Sequence, residues 1–289
     1  MKALKVLSLF DGISCGRIAL ERAGIPVDTY YASEIEPGAI EVSQENYFDT
    51  IHLGDVTKWR EWNIDWGSID LLIGGSPCQG FSTSGKGLNF NDPRSKLFFE
   101  YVAILQYICK YNPDVKFMLE NVRMKKEWSD KITEQLGVPY VEINSRYFSA
   151  QNRVRFYWTN FEILKYTDKG VLLSDIVEDD YIHSAGKRTR PLAKENYRKS
   201  LCLEVSGDNK SNCLVTVNLN NLLTPLPKGR YIDCGTNNYP YRVMTPREME
   251  RLQTVPEGYI GDVSSTKAAK LLGNAWTVDV IAHIFRGLL

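Results

Sequence analysis

Short apolar runs and amphipathic stretches alternate along the first half of this chain. Residues 4–10, Leu-Lys-Val-Leu-Ser-Leu-Phe, predict a buried strand, and residues 14–23 a helix. Residues 29–33 and 51–56 predict two further strands, with a helix between them that Pro37 opens and that runs to about Tyr47. A fourth strand follows at 69–73. Residues 95–110 carry Leu97, Phe98, Tyr101, Val102, Leu105 and Ile108 at helical spacing, one apolar face of an amphipathic helix. Strands at 115–119, 140–143 and 151–158 and a helix at 124–136 complete the series. This succession predicts an α/β fold on an open parallel sheet. The rhythm stops at about Phe161. From there to Tyr241, Asn, Gly and Pro become common, and a small domain of loops and short strands is expected. Helical pattern returns at Thr245, an N-cap followed by Pro246 and by Glu248, which completes a capping box. Helices at 265–272 and 276–289 close the chain.

The candidate chemistry lies at the predicted strand ends, where open parallel sheets bind ligands. The first strand runs into Phe10-Asp11-Gly12-Ile13-Ser14-Cys15-Gly16, a glycine-containing turn before a helix. The second ends in Glu34-Ile35-Glu36, an acidic position about 20 residues beyond that turn, where a carboxylate can reach ribose hydroxyls. The third ends at Asp55-Val56. Asp55 and Glu36 would serve equally as helix N-caps. The fourth runs into Ser76-Pro77-Cys78-Gln79-Gly80-Phe81-Ser82. A thiol on a glycine-punctuated loop can meet a substrate, although a lone cysteine is more often a small buried hydrophobe. Arg153 and Arg155 alternate on one face of the strand expected at 151–158. That geometry suits an oxyanion or a carbonyl, or equally a structural pair with Glu120.

Composition narrows the classes. The 289 residues carry a formal net charge of zero, which does not advertise a nucleic-acid binder. Residues 186–200, however, hold Lys187, Arg188, Arg190, Lys194, Arg198 and Lys199 against Glu195, either a solvated face or a phosphate-contacting patch. Six cysteines without a CxxC pair, and three histidines, argue against a zinc site or a disulfide framework. No apolar run approaches the ~18–20 residues of a membrane span. The apolar start is too short for a signal peptide, so a cytosolic protein is expected.

Taken in order, the Phe10-Asp11-Gly12 turn, Glu34, Asp55, Pro77-Cys78, Glu120-Asn121-Val122, Gln151 with Arg153 and Arg155, Arg247-Glu248 with Arg251-Leu252-Gln253, and Gly273-Asn274 resemble the DNA (cytosine-5)-methyltransferases. The resemblance implies a Rossmann-like S-adenosylmethionine-dependent methyltransferase fold. Residues 1–160 and 242–289 would form the catalytic and cofactor domain, and 161–241 a target recognition domain. Cys78 would add to cytosine C6, Glu120 would contact N3 and the amino group from a carboxyl whose pKa burial raises, Arg155 would hold O2, and Arg153 would order the Cys78 loop. S-adenosylmethionine, leaving as S-adenosylhomocysteine, would meet Phe10, the backbone from Asp11 through Gly12, Ile13, Ser14 and Cys15 to Gly16, Glu34 with Ile35, and Asp55 with Val56. Ser76, Pro77 and Leu97 would also line its site, and Asn274, Ala275 and Trp276 would close it. No metal is implied. Gln79 and Ser82 would approach the DNA, Arg188 and Lys199 its phosphates, and Asn218, Asn220, Asn221, Lys228 and Arg230 its bases. The partner would be duplex DNA, bound by a monomer, in a bacterial or phage-infected cytoplasm, with a cognate restriction endonuclease or none, and no membrane. The usual first motif of the family, Phe-x-Gly-x-Gly, has Ser14 at its second glycine here, as in the eukaryotic de novo enzymes. Methylation of tRNA, and a catalytically dead accessory role, are the two rival readings.

Overall fold

The computed structural model describes residues 2–76, 96–179, 183–191, 199–216, 220–223, 231–233 and 241–289. It divides into two compact units. The first comprises Met1–Ile143, Val154–Lys165 and Val280–Leu289, and the second Asn144–Arg153 and Tyr166–Asp279. Residues 166–241 thus lie in the second unit, together with 144–153 and 242–279.

The first unit is built on a seven-stranded sheet. Its elements are β1 (Leu4–Leu9), α1 (Cys15–Ala23), β2 (Val27–Ser33), α2 (Pro37–Asn46), β3 (Ile51–His52), β4 (Leu71–Gly75), α3 (Lys96–Cys109), β5 (Lys116–Val122), α4 (Lys126–Leu136), β6 (Tyr140–Asn144) and β7 (Val154–Thr159). The strand order is β3-β2-β1-β4-β5-β7-β6. The first five strands pair in parallel, and β7 runs antiparallel to β5. Leu7, Leu9, Leu72 and Leu119 on the central strands are fully buried, as a parallel sheet covered by helices requires. They join Phe98, Tyr101, Ile104 and Ile108 of α3 and Ile132 of α4 in one core cluster. The order reverses between β1 and β4, so the crevice of a doubly wound sheet lies where Asp11 and Ser76 follow those two strands.

Two differences from the sequence reading stand out. The third strand is only two residues long, because Asp55 caps a 3-10 turn, Val56–Glu61, in place of extending it. That turn buries Trp59 against α3, with its indole N–H donating to Glu100 at 2.8 Å. The strand expected at 151–158 begins at Val154. Arg153 therefore sits before the strand and Arg155 within it, and they do not share a strand face.

The second unit holds an antiparallel sheet in the order β11-β9-β8-β10-β12. Its strands are β8 (His183–Pro191), β9 (Lys199–Val205), β10 (Asn220–Leu223), β11 (Tyr231–Asp233) and β12 (Tyr241–Val243). Helices α5 (Pro246–Leu252) and α6 (Ser265–Asn274) follow, and α7 (Val278–Phe285) leads back into the first unit. The Thr245–Glu248 capping box forms as its spacing predicts. Among the described residues no helix is long and apolar enough to cross a membrane.

Gly273, near the end of α6, is set by packing. A Cβ there would lie 2.5 Å from the carbonyl carbon of Val215 and 2.6 Å from the amide nitrogen of Thr216. Both are backbone atoms and cannot rotate away. Gly273→Ala is expected to cost about 1–3 kcal/mol, the usual range for overpacking, lowering the melting midpoint by roughly 2–4 °C per kcal/mol. Differential scanning calorimetry checks this, and an unchanged midpoint contradicts the packing argument.

Candidate active site

The loop after β1 turns sharply. Phe10, Gly12 and Ser14 adopt left-handed φ values of 58°, 60° and 59°, two of them without the freedom of glycine. Hydrogen bonds hold this shape. The Asp11 carboxylate accepts from the Ser14 hydroxyl at 2.6 Å and from the Tyr30 hydroxyl at 2.8 Å. Ser14 Oγ lies 2.6 Å from Ser43 Oγ of α2. Because Ser14 gives its single proton to Asp11, Ser43 is the donor to Ser14. Burial pushes the Asp11 pKa up to about 6, against the lowering pull of the Ser14, Ser8 and Tyr30 hydroxyls, with the Glu34 charge adding a smaller upward push. Ile13 and Cys15 are buried, leaving only their backbone for a ligand, whereas the Cβ position of Gly12 has nothing within 4 Å.

Just past β2, the carboxylate of Glu34 is held by backbone N–H groups among the described residues. Its Oε2 accepts from Gly12 N–H at 2.8 Å, and its Oε1 from Ile35 and Glu36 N–H at 2.7 and 2.9 Å. It thus ties the end of β2 to the loop after β1. Ile35 beside it is 69% exposed, a large apolar side chain left on the surface at this edge. Asp55 accepts from the backbone N–H and the hydroxyl of Thr57, so it does cap a helical turn. Val56 is buried, and Leu97 packs partly buried against the core. The open space over Gly12, the fixed carboxylate and the exposed Ile35 form a cradle that fits a nucleoside-bearing ligand.

Beside it, the β4–β5 register sets Gly75 opposite Glu120. The Asn121 amide donates to the hydroxyl of Ser76 at 3.1 Å and to its carbonyl at 3.4 Å, fixing the last described residue before Pro77. On the other side of β5, Arg155 stands opposite Val122. Its Nε lies 3.0 Å from Glu120 Oε1, with both side chains almost buried. This ion pair is the partnership that the sequence left as one of two options. Pro77, Cys78, Gln79 and Ser82 lie outside the described residues.

In the second unit, Arg153 donates to the carbonyls of Leu214, Gly273 and Ala275 at 3.1, 3.2 and 3.0 Å. A cation at the last carbonyls of α6 suits the helix dipole. Gln151 and Gln253, both fully buried, join it: Gln151 donates to Gln253 Oε1 at 2.9 Å, Gln253 donates to Leu272 O at 2.7 Å, and Thr277 donates to Gln253 at 2.8 Å. Sequence reasoning marked Gln151 and Gln253 by their motifs but missed Thr277, Tyr30 and Ser43, hydroxyl positions that no spacing singles out. The node holds Asn274, exposed, between buried Gly273 and Ala275, with Trp276 also buried. Of the residues expected on DNA, Arg188 lies on β8 opposite Cys202, Lys199 on β9 opposite Pro191, and Asn220 and Asn221 on β10 opposite Gly186 and Ala185. Asn218, Lys228 and Arg230 lie outside the described residues. Among the described residues no group of His, Cys, Asp and Glu could hold a metal ion.

Comparison with known proteins adds to this geometry. The family model described as C-5 cytosine-specific DNA methylase matches residues 4–162 and 125–289. The chain is 32% identical to the Type II methyltransferase M1.ScrFI of Lactococcus lactis subsp. cremoris, over 99% of this chain and 78% of the relative. It is 30% identical to the Type II methyltransferase M.DsaV of Dactylococcopsis salina, over 100% of this chain and 86% of the relative. Among solved structures, the methyltransferase EhMeth of Entamoeba histolytica superposes with a TM-score of 0.69 at 17% identity, covering 100% of this chain and 98% of its own.

The raised pKa of Asp11 makes a prediction about stability. Its folded value of about 6 lies above the 3.8 of an exposed aspartate. The contribution is therefore fully present below pH 3.8 and is lost as pH rises through 6, by about 3 kcal/mol in all. Asp11→Asn removes this titration. Denaturant unfolding at pH 4.5 and pH 7.5 should show the variant gaining on the wild type by about 2 kcal/mol between the two conditions. Parallel pH profiles would place the ionisation of Asp11 elsewhere.

Proposed function

The chain belongs to the C-5 cytosine-specific DNA methylase family and is a DNA (cytosine-5-)-methyltransferase that takes its methyl group from S-adenosylmethionine, and on that premise we propose that it methylates a cytosine flipped out of duplex DNA, through a covalent adduct of Cys78. The observation that carries this reading is the Glu120–Arg155 pair, set by β-sheet register beside Gly75, three residues before Cys78. Cytosine C5 is a weak nucleophile. Addition of the Cys78 thiolate to C6 moves electron density onto C5. S-adenosylmethionine supplies an electrophilic methyl group and leaves as S-adenosylhomocysteine. Loss of the C5 proton to a base then expels the Cys78 thiolate and restores the aromatic ring.

Glu120 offers its carboxyl to N3 and the exocyclic amino group, and Arg155 its guanidinium to O2. Asn121 supports the nucleophile by fixing Ser76. The cradle beyond β1 and β2 takes the donor, Glu34 meeting the ribose and Asp55-Val56 the adenine side. Ring atoms C5 and C6 are inaccessible to this chemistry inside a duplex, which is why the base must leave the stack. Residues 161–241 serve as the recognition domain. Arg188 and Lys199 meet phosphates, while Asn218, Asn220, Asn221, Lys228 and Arg230 read bases. The protein acts as a monomer, with a cognate endonuclease or as a solitary enzyme, in a bacterial or phage-infected cytoplasm.

Bisulfite sequencing of DNA from cells expressing the protein tests the reaction, and competition between duplex DNA and tRNA tests the acceptor. Cys78→Ser is expected to abolish single-turnover transfer while S-adenosylhomocysteine affinity by calorimetry stays within about threefold, since the hydroxyl is a far weaker nucleophile. DNA carrying 5-fluorocytosine at the target should trap the wild-type protein covalently, because fluorine blocks the final elimination. Active protein without a trapped species rejects the covalent route. For the donor site, Glu34→Ala should weaken S-adenosylhomocysteine binding about ten- to a hundred-fold, the loss of one charge-assisted hydrogen bond. An unchanged dissociation constant makes Glu34 a loop anchor alone.

A further inference from the structure

The loop after β1 carries a serine where the family motif has its second glycine, and that serine is left-handed, with φ 59° and ψ 34°. An L-residue in this region is strained by roughly 1–2 kcal/mol relative to glycine, so something else must hold it. What surrounds it is a closed chain of buried hydroxyls ending on a carboxylate. Ser43 donates to Ser14 and Ser14 to Asp11, each at 2.6 Å, while Tyr30 donates to the other Asp11 oxygen at 2.8 Å. Ser14, Ser43 and Tyr30 are essentially without solvent exposure. The Ser14 carbonyl in turn accepts from Arg17 and Ile18 N–H and so begins α1. Asp11 thus sets where the helix starts and how Gly12 faces the open space above it.

We propose that Asp11 is a positioning residue of the donor site: through Ser14 and Ser43 it latches the loop in the left-handed shape that glycine would adopt by conformational freedom, and the latch is strongest while Asp11 is ionised. The proposal rests on the reading of this loop as the S-adenosylmethionine site. Two donors converge on Asp11, so protonating it forces one oxygen to become a donor and reverses one link of the chain. It also exchanges a charge-assisted acceptor for a neutral one. Of the other titratable or charged groups, Glu34 at the end of β2 and Tyr30 within β2 bear on Asp11 directly; one step further out, Arg17 of α1 lies 5.6 Å from the Tyr30 ring, and His52 on β3 feels the Glu34 charge. Burial holds His52 below the usual histidine value, so it adds little positive charge in the range where Asp11 titrates.

Calorimetric titration with S-adenosylhomocysteine tests this without reference to catalysis. At pH 7.5, Ser14→Gly should bind within about threefold of the wild type, because glycine needs no latch. Ser14→Ala keeps the Cβ and loses both hydrogen bonds, and should bind about tenfold more weakly. Wild-type affinity should fall about fivefold from pH 7.5 to pH 5.0, and Asp11→Asn should be weaker at pH 7.5 and nearly flat over the same range. Ser14→Ala binding as well as Ser14→Gly overturns the proposal, as do parallel pH profiles for the wild type and Asp11→Asn. If Asp11→Asn does not fold, the two Ser14 variants decide alone. A wild-type chain with no affinity for S-adenosylhomocysteine overturns the donor-site reading as well; wild-type binding with an insensitive Ser14 overturns the latch only.

Discussion

Parallel pairing in register is the constraint on which the first unit depends. Leu9 pairs with Ser33 on one side and with Gly74 on the other, and Gly75 pairs with Glu120. Because parallel strands all point the same way, everything that follows each strand emerges at one edge of the sheet. Asp11, Glu34, Ser76 and Glu120 are far apart in sequence and become neighbours at that edge by register alone. A slip of one residue in any of these pairings would turn alternate side chains to the opposite face, and the buried leucines of β1 and β4 forbid it.

Three of the carboxylates at this edge are each held by a different kind of partner. Asp11 is met by neutral hydroxyls, Glu34 by backbone N–H groups and Glu120 by a guanidinium. The differences suit different tasks. Backbone N–H donors stabilise a carboxylate while leaving lone pairs for a ligand. A guanidinium neutralises a buried charge and carries its several donors in one rigid plane. Hydroxyl partners leave the burial of Asp11 only partly compensated, and its pKa is pushed up to about 6. Its cost to stability is the kind that persists where a site needs a defined backbone shape.

The second unit solves a related problem at the end of a helix. The last carbonyls of α6 would be unsatisfied in the interior, and Arg153 with Gln253 caps those of Leu272, Gly273 and Ala275. The same guanidinium binds Leu214 O, and Gly273 leaves no room for a side chain beside Val215. The segment leading into β10 and the end of α6 are therefore packed as one piece within this unit.

The β-α rhythm of residues 4–136, the Thr245 capping box and the order of the motifs were legible from the sequence, because burial and helix capping are local in origin and leave their period in the chain. Glu34 and Glu120 were legible as site candidates for the same reason, lying at the ends of apolar runs, and Arg155 by its alternation with Arg153 in an expected strand. The partners were not. Whether Glu120 pairs with Arg155 depends on the register of β5 and β7, while where the Arg153 guanidinium goes and why Ser14 tolerates a left-handed backbone depend on Leu214, Ala275, Tyr30 and Ser43. These lie between 19 and 122 positions away from the residues they bond. Hydrogen bonds across such separations are set by β-sheet register and helix packing, which no window of neighbouring residues contains. The sequence determined which chemical groups stand at the strand ends; the tertiary structure decided which of them hold one another, because only folding removes the water that would otherwise satisfy each of them alone.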